Sequence, residues 1–160
     1  MTPFRRILVP HDFSDPATAA LEFAARLVPA NGRLVVLHVV VPFVPLTDFP
    51  PAGVSTCIAP AELLTGAKRQ LDRTIAKALP GKRGPRVESK VVIGDPYQRI
   101  IAAARGMDAI VMSTAGRTGL SHLLIGSVAE KVVRHSPIPV VTLRGATARK
   151  ARRRPSKGKR

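Results

Sequence analysis

A chain of 160 residues is long enough for one domain to bury a true core without disulfide or metal staples, because a fold of this size hides roughly two-thirds of its unfolded surface. Hydrophobic residues make up 45% of it and aromatics only 4%, with no Trp, so the core must be built from Val, Leu, Ile and Ala, the palette of a buried parallel sheet covered by helices. The single cysteine, Cys57, excludes an internal disulfide and a cysteine-rich metal site, and suits a reducing compartment.

The formal charge of +16 is unevenly placed. Eight of the 26 basic residues lie between Arg149 and Arg160, and all ten acids precede them. Residues 1–144 therefore carry 18 basic against ten acidic side chains, and the segment 145–160 carries a further eight positive charges. That segment has no apolar periodicity and nothing large to bury, so a disordered basic tail behind a folded domain of residues 1–144 is expected. The opening MTPFRRILVPHD breaks with two arginines, a proline and an early acid the apolar stretch that a signal peptide needs. The longest apolar run, residues 34–46, is interrupted by His38, Pro42 and Pro45 and is too short to span a bilayer. A cytoplasmic protein without membrane contact is the expectation.

Along the chain, short β-branched runs alternate with longer segments whose apolar residues recur three and four apart, the signature of an α/β fold with a parallel sheet. Residues 6–9 are the first expected strand. A helix is expected to open at Asp15-Pro16, with Asp15 as the capping acid, to bury Ala17, Ala20, Leu21, Ala24, Leu27 and Val28, and to stop at Asn31-Gly32. Residues 33–41 (RLVVLHVVV) form a strand apolar on both faces, hence central. Residues 42–60, rich in proline and without period, read as a long loop or lid. A helix over 61–79 and a strand over 86–93 follow. Asp95-Pro96-Tyr97-Gln98 starts the next helix with a capping pair, and residues 108–112 form the next strand. A helix beginning at Ser127, with Glu130 three residues on, and a last strand, Pro139–Arg144, complete the domain.

The most informative stretch is STAGRTGLSHLLIGSVAE, residues 113–130, where a strand runs through a glycine-punctuated loop into a helix. Glycine lets backbone amides face a ligand with no Cβ in the way, and the first free amides of a helix add the positive end of its dipole, so this junction suits phosphate. In a doubly wound sheet ligands bind at the carboxyl ends of the strands, where the strand order reverses. Both Pro10-His11-Asp12 and Ser113-Thr114-Ala115-Gly116 follow strands at that end.

The segments ILVPHDFS (residues 7–14), the GDP at Gly94, and AGRTGLSHLLIGSVAEKVVRHSPIPVVTLR (residues 115–144) together resemble the universal stress protein family over residues 4–144. The resemblance implies a single doubly wound, Rossmann-like α/β domain of the adenine nucleotide alpha hydrolase-like class, with five parallel strands in the order 3-2-1-4-5 and helices on both faces. ATP-binding members carry a glycine, two residues, a glycine, nine residues, then glycine with Ser or Thr. Gly116, the nine residues 117–125 and Gly126-Ser127 match the second part. Ser113 stands where the first glycine would be, against the ribose, and its Cβ is expected to crowd the sugar. The resemblance further implies that Pro10, His11 and Asp12 flank the nucleoside, Val39 meets the adenine and Met112 lines the floor. Gly116, Arg117, Gly119, Gly126, Ser127 and Val128 would surround the phosphates. Mg2+ would accompany ATP, held mainly by phosphates and water. It also implies a homodimer through the last strand, Pro139–Arg144, an apolar edge that needs covering.

Plainer readings of the same residues stay open. Ser127 with Glu130 is also a capping box; Gly116 and Gly119 can simply supply positive φ in a turn; Asp12 can merely brace the turn before the first helix. His11, His38, His122 and His135 show no metal-ligand spacing, and His38 on an apolar strand reads as a satisfied core residue. Cys57 reads as a small loop residue. The chain lacks the G-x-S-x-G, HExxH and Walker A patterns, and no nucleophile or general base is evident. Three functions are carried forward: an ATP-holding stress-response protein with slow or no hydrolysis, a non-catalytic interaction protein favoured by Ser113, and a weak ATPase. The basic tail adds the expectation of sequence-independent contact with nucleic acid or another polyanion.

Overall fold

The computed structural model describes residues 4–41, 60–81, 84–114 and 125–144. Strands and helices alternate through them: β1 (Arg6–Pro10), α1 (Asp15–Leu27), β2 (Arg33–Val40), α2 (Pro60–Ala78), β3 (Arg86–Ile93), α3 (Pro96–Ala104), β4 (Ala109–Ser113), α4 (Ser127–His135) and β5 (Val140–Leu143). The strands form one sheet in the order β3-β2-β1-β4-β5, every pairing parallel. This is the doubly wound arrangement, and β1 lies beside β4 where the strand order reverses.

The period-two alternation of the strands divides the core between the two faces of the sheet. On one side Ile7, Val9, Leu34, Val36 and Val111 pack with Ala20, Leu21 and Ala24 of α1 and Leu71 of α2. On the other, Leu8, Val35, Leu37, Val39, Ile110 and Met112 pack with Ile100 and Ala104 of α3 and Ala129 and Val132 of α4. Covered on both faces, β1, β2 and β4 are buried almost throughout. Each of these Val, Leu and Ile side chains contributes about 1.5–3 kcal/mol when taken out of water. That is why a chain almost without aromatics can hold a fold of this size.

Several local details differ from expectation. Ser14, not Asp15, caps α1: its hydroxyl accepts the Ala17 N–H at 3.2 Å, and Asp15 is the first helical residue. Leu27 is 37% exposed rather than buried, because the helix ends there and Val28 turns into the core instead. Strand β4 starts one residue later than its apolar pattern suggests, since the Asp108 carboxylate turns to the Arg5 and Arg6 amides, 2.8 Å from each. The last strand is four residues long, shorter than the six expected. Gly32 is required by close approach: a Cβ there would stand 2.5 Å from Val28 Cγ1 and 2.8 Å from the Arg5 carbonyl. The expected loop over 42–60 falls outside the described residues apart from Pro60, which is the first residue of α2, and so does the tail over 145–160. Among the described residues, no helix is long and apolar enough to cross a membrane.

Candidate functional site

The chain leaves β1 at Pro10 and turns within four residues into α1. Phe13 makes that turn with φ +68°, a left-handed conformation that a bulky residue adopts only when its surroundings hold it there. Three hydrogen bonds hold it. The Phe13 N–H donates to His11 Nδ1 at 3.0 Å, and the Ser14 N–H and hydroxyl both donate to Asp12 Oδ1, at 3.0 and 2.5 Å. The bracing role read for Asp12 is therefore real.

These bonds also settle the protons on two histidines. His11 Nδ1 accepts from Phe13, and the Thr18 hydroxyl gives its proton to the Ser14 carbonyl at 3.1 Å. The 3.3 Å contact between His11 Nε2 and Thr18 Oγ1 is then made by an imidazole N–H. His11 is neutral with its proton on Nε2. Burial lowers its pKa below the usual 6.5, Asp12 works the other way, and His38 lowers it further. His38 Nδ1 lies 2.8 Å from the His11 carbonyl and must be the donor, so this imidazole carries a proton on Nδ1. Its ring packs on Phe13 with centroids 4.2 Å apart. His38 is a satisfied buried residue, and it ties β2 to the β1–α1 turn.

Across the switch point, the Thr114 N–H bonds to the Leu143 carbonyl at 2.8 Å, and the Thr114 carbonyl accepts from the Gly126 N–H at 2.7 Å. That last bond stitches the start of α4 to the end of β4. Gly126 is the N-cap, and among the described residues no side chain caps the helix. The expected box between Ser127 and Glu130 is not formed, because Ser127 is already helical and the Glu130 carboxylate pairs with Arg134 at 3.1 Å. Among the described residues, the first-turn amides of α4 thus have no side-chain partner of the kind that Ser14 and Asp95 supply to α1 and α3.

The two junctions meet over a cavity of about 270 Å3. Nine residues named from the sequence line it: Pro10, His11, Asp12, Val39, Met112, Ser113, Gly126, Ser127 and Val128. Gly116, Arg117 and Gly119 lie outside the described residues. The sequence reading missed His38, Thr114, Ala17, Pro96 and Ile100 as lining residues. His38 is the neighbour of Val39 on a strand whose two faces both reach the cavity rim, and Pro96 follows the GDP already singled out, so those two carried a signal. Ala17 and Ile100 are ordinary core-spaced helix residues whose place only the packing reveals. The chamber is chiefly apolar. Its polar groups are one carboxylate, two imidazoles, three hydroxyls and the first-turn amides of α4, a set that can orient a flat apolar ring and neutralise an anion. Among the described residues, Asp12 is the only carboxylate on it, and no three His, Cys, Asp or Glu side chains gather to hold a metal ion.

The sequence profile of the universal stress protein family matches residues 3–144. A universal stress protein of Thermus aquaticus is 32% identical over 147 residues, which cover 88% of this chain and 99% of that one. Among solved structures, the universal stress protein UspA from Lactobacillus plantarum superposes with a TM-score of 0.66 at 27% identity, covering 90% of this chain and all of that one. The universal stress protein from Archaeoglobus fulgidus in complex with dAMP has the same fold, with a TM-score of 0.54 at 24% identity over 88% and 98% of the two chains. Sheet order, profile match and relatives agree over the whole folded segment: the chain belongs to the universal stress protein family.

Proposed function

We propose that this protein binds an adenine nucleotide, ATP with Mg2+ foremost, at the switch-point cavity, and holds it as a ligand or switch with slow or no hydrolysis. The observation that carries the reading is the convergence of both strand-end junctions on one apolar chamber onto which an uncapped helix N-terminus opens. At about 270 Å3 the chamber is just under the roughly 300–1,000 Å3 usual for small-molecule sites, room for a nucleoside. Val39 and Met112 offer apolar surface to the base, Pro10 and Asp12 flank the sugar, and the amides of Ser127 and Val128 with the Ser127 hydroxyl face phosphate oxygens. The dAMP held by the A. fulgidus relative fits the same assignment. With one carboxylate at hand, a metal would be held mainly by the nucleotide's own phosphates and water. Both nitrogens of His11 are engaged and Asp12 braces the turn, which is why a hydrolytic base is not assigned.

Calorimetric titration of Mg2+-ATP into a chain ending at Arg144 tests the reading, since the basic tail could attract triphosphate by charge alone. Saturable binding is expected, weakened about tenfold or more in Gly126→Val, because even a Cβ at Gly126 would come within 3.1 Å of the Thr114 carbonyl and a branched side chain would cover the helix amides. A titration showing no heat removes the nucleotide reading.

One observation favours a second reading, an interaction protein that does not hold ATP. Ser113 lines the cavity, so its side chain occupies space where a glycine would leave room for ribose. Ser113→Gly then creates or sharpens binding that the native chain lacks. In either reading we assign a cytoplasmic homodimer paired through β5, a short edge strand of partly buried apolar residues. A light-scattering mass of one chain at micromolar concentration removes the dimer.

A further inference from the structure

The opposite end of the sheet has chemistry that the nucleotide site leaves unused. Arg6, Arg33 and Arg86 are the first residues of β1, β2 and β3. They are register partners, Arg6 beside Arg33 and Arg33 beside Arg86. Neighbouring parallel strands lie about 4.8 Å apart, so the three Cα atoms form a straight row about 10 Å long. Register partners also point to the same face. Here that is the face of Leu8 and Val35, and all three arginines are exposed on it. With Arg5, Phe4 and Asn31 they line an open groove across the amino ends of the strands.

The charges in this groove do not cancel. Arg6 pairs with Asp108 at 3.1 Å and Arg33 pairs with Glu88. Arg5 and Arg86 have no carboxylate within ion-pair distance among the described residues. Both existing pairs are surface pairs, with the arginine side chains 54% and 46% exposed, and such pairs hold little free energy and exchange readily. Helix C-termini gather at this end of a parallel sheet, and their dipoles favour cations. That accounts for positive charge here, but not for a row in register with one unpaired member, Arg86, and an unpaired Arg5 beside it.

We propose that this arginine row is a binding surface for the backbone of a nucleic-acid strand. Guanidinium groups match phosphate oxygens bidentately, and three of them side by side can follow a run of phosphates along one strand. The groove is open to solvent, which suits a strand that runs on past it. Contacts of this kind carry no base information, so binding is sequence-independent. The eight basic residues of 145–160 lie outside the three strands that carry the row, so the two contributions separate by mutation.

Fluorescence anisotropy of the full chain with a labelled single strand of about 20 nucleotides tests the surface, with salt varied from about 50 to 200 mM. The variant is Arg5→Gln with Arg86→Gln. Its control is Arg69→Gln with Arg73→Gln, two exposed arginines of α2 that remove the same charge elsewhere. The expected result is that the slope of log K against log salt falls by about 1.4 in the first variant, from about 0.7 per phosphate contact, and keeps its native value in the control. Equal slopes in the two variants would place the binding on net charge or the tail and overturn the proposal. Absence of binding at low salt would overturn it as well, and so would binding of inorganic tripolyphosphate without binding of the strand.

Discussion

The two ends of the sheet are built from the same strands and differ in nearly every respect. At the carboxyl end the chain runs into helix N-termini, the β1–α1 turn is tight, and its polar groups are paired one by one: His11 with Phe13 and Thr18, His38 with the His11 carbonyl, Asp12 with Ser14. At the amino end the chain arrives from helix C-termini, and the polar groups are long, exposed arginines, of which Arg6 and Arg33 are in surface ion pairs. A parallel sheet imposes this asymmetry, because every crossover helix points its positive end toward the carboxyl edge. One end holds a cavity on the scale of a small molecule. The other can only present charge to a large one.

Breaking the amino end should cost the most. Gly32→Ala would push a Cβ into Val28 and the Arg5 carbonyl, and we expect a loss of about 2–3 kcal/mol in urea denaturation, with nucleotide affinity unchanged in the folded fraction. A loss under about 0.5 kcal/mol would mean that the edge yields and the row is loosely held.

At the carboxyl end, His38→Leu keeps the bulk and removes the donor to the His11 carbonyl. Leaving that buried acceptor unpaired should cost about 2 kcal/mol and weaken nucleotide binding too, since Phe13 loses the ring it packs on. Unchanged stability would show that the β1–α1 turn holds itself without β2.

A smaller loss, about 1 kcal/mol, is expected from Asp108→Ala, whose carboxylate accepts from the Arg5 and Arg6 amides near solvent, where water can take over. It should also free Arg6 and raise the affinity for a nucleic-acid strand, the opposite of the Arg5 and Arg86 substitutions. A decrease in that affinity would contradict the arginine row.

The subtlest test separates the ends by pH. His11 has a folded pKa below 6.5, so between the two values the unfolded chain binds more protons. Its contribution is fully present above about pH 6.5 and is lost as pH falls through the folded value. Asp108 behaves differently: burial alone would raise its carboxyl, but bonds from the Arg6 and Arg5 amides and the Arg6 side chain outweigh this and hold it below the usual 3.8. Its contribution is present above about 3.8 and fails only in stronger acid. A stability profile should therefore show an upper limb that disappears in His11→Gln and a lower limb that remains. An upper limb that survives the substitution would mean that another group titrates there.

Most of the fold was legible in the chain because strands and helices announce themselves by spacing. The β-branched runs at 33–41 and 86–93 and the Asp95-Pro96 start became structure within a residue or so, whereas α1 ends at Leu27, four residues before the stop expected at Asn31-Gly32. The misreadings cluster at caps. Ser14 and Asp15 are both good capping residues, and only the path of the β1–α1 turn decides which hydroxyl or carboxylate meets the Ala17 amide. Likewise Ser127 and Glu130 have the spacing of a capping box, but Gly126, bonded to the Thr114 carbonyl, is the cap and Ser127 is already helical, which leaves that box unmade.

By itself the amino-acid sequence determined the alternation of elements, the split of the core between two faces and the strand ends at which a ligand would sit. These are matters of period and local propensity. Tertiary structure alone decided that His11 and His38 share one carbonyl bond, that Ala17 and Ile100 reach the cavity, and that three arginines from strands far apart in the chain stand side by side. Such facts depend on strand order and register, set by the packing of the whole sheet, and no window of sequence contains them.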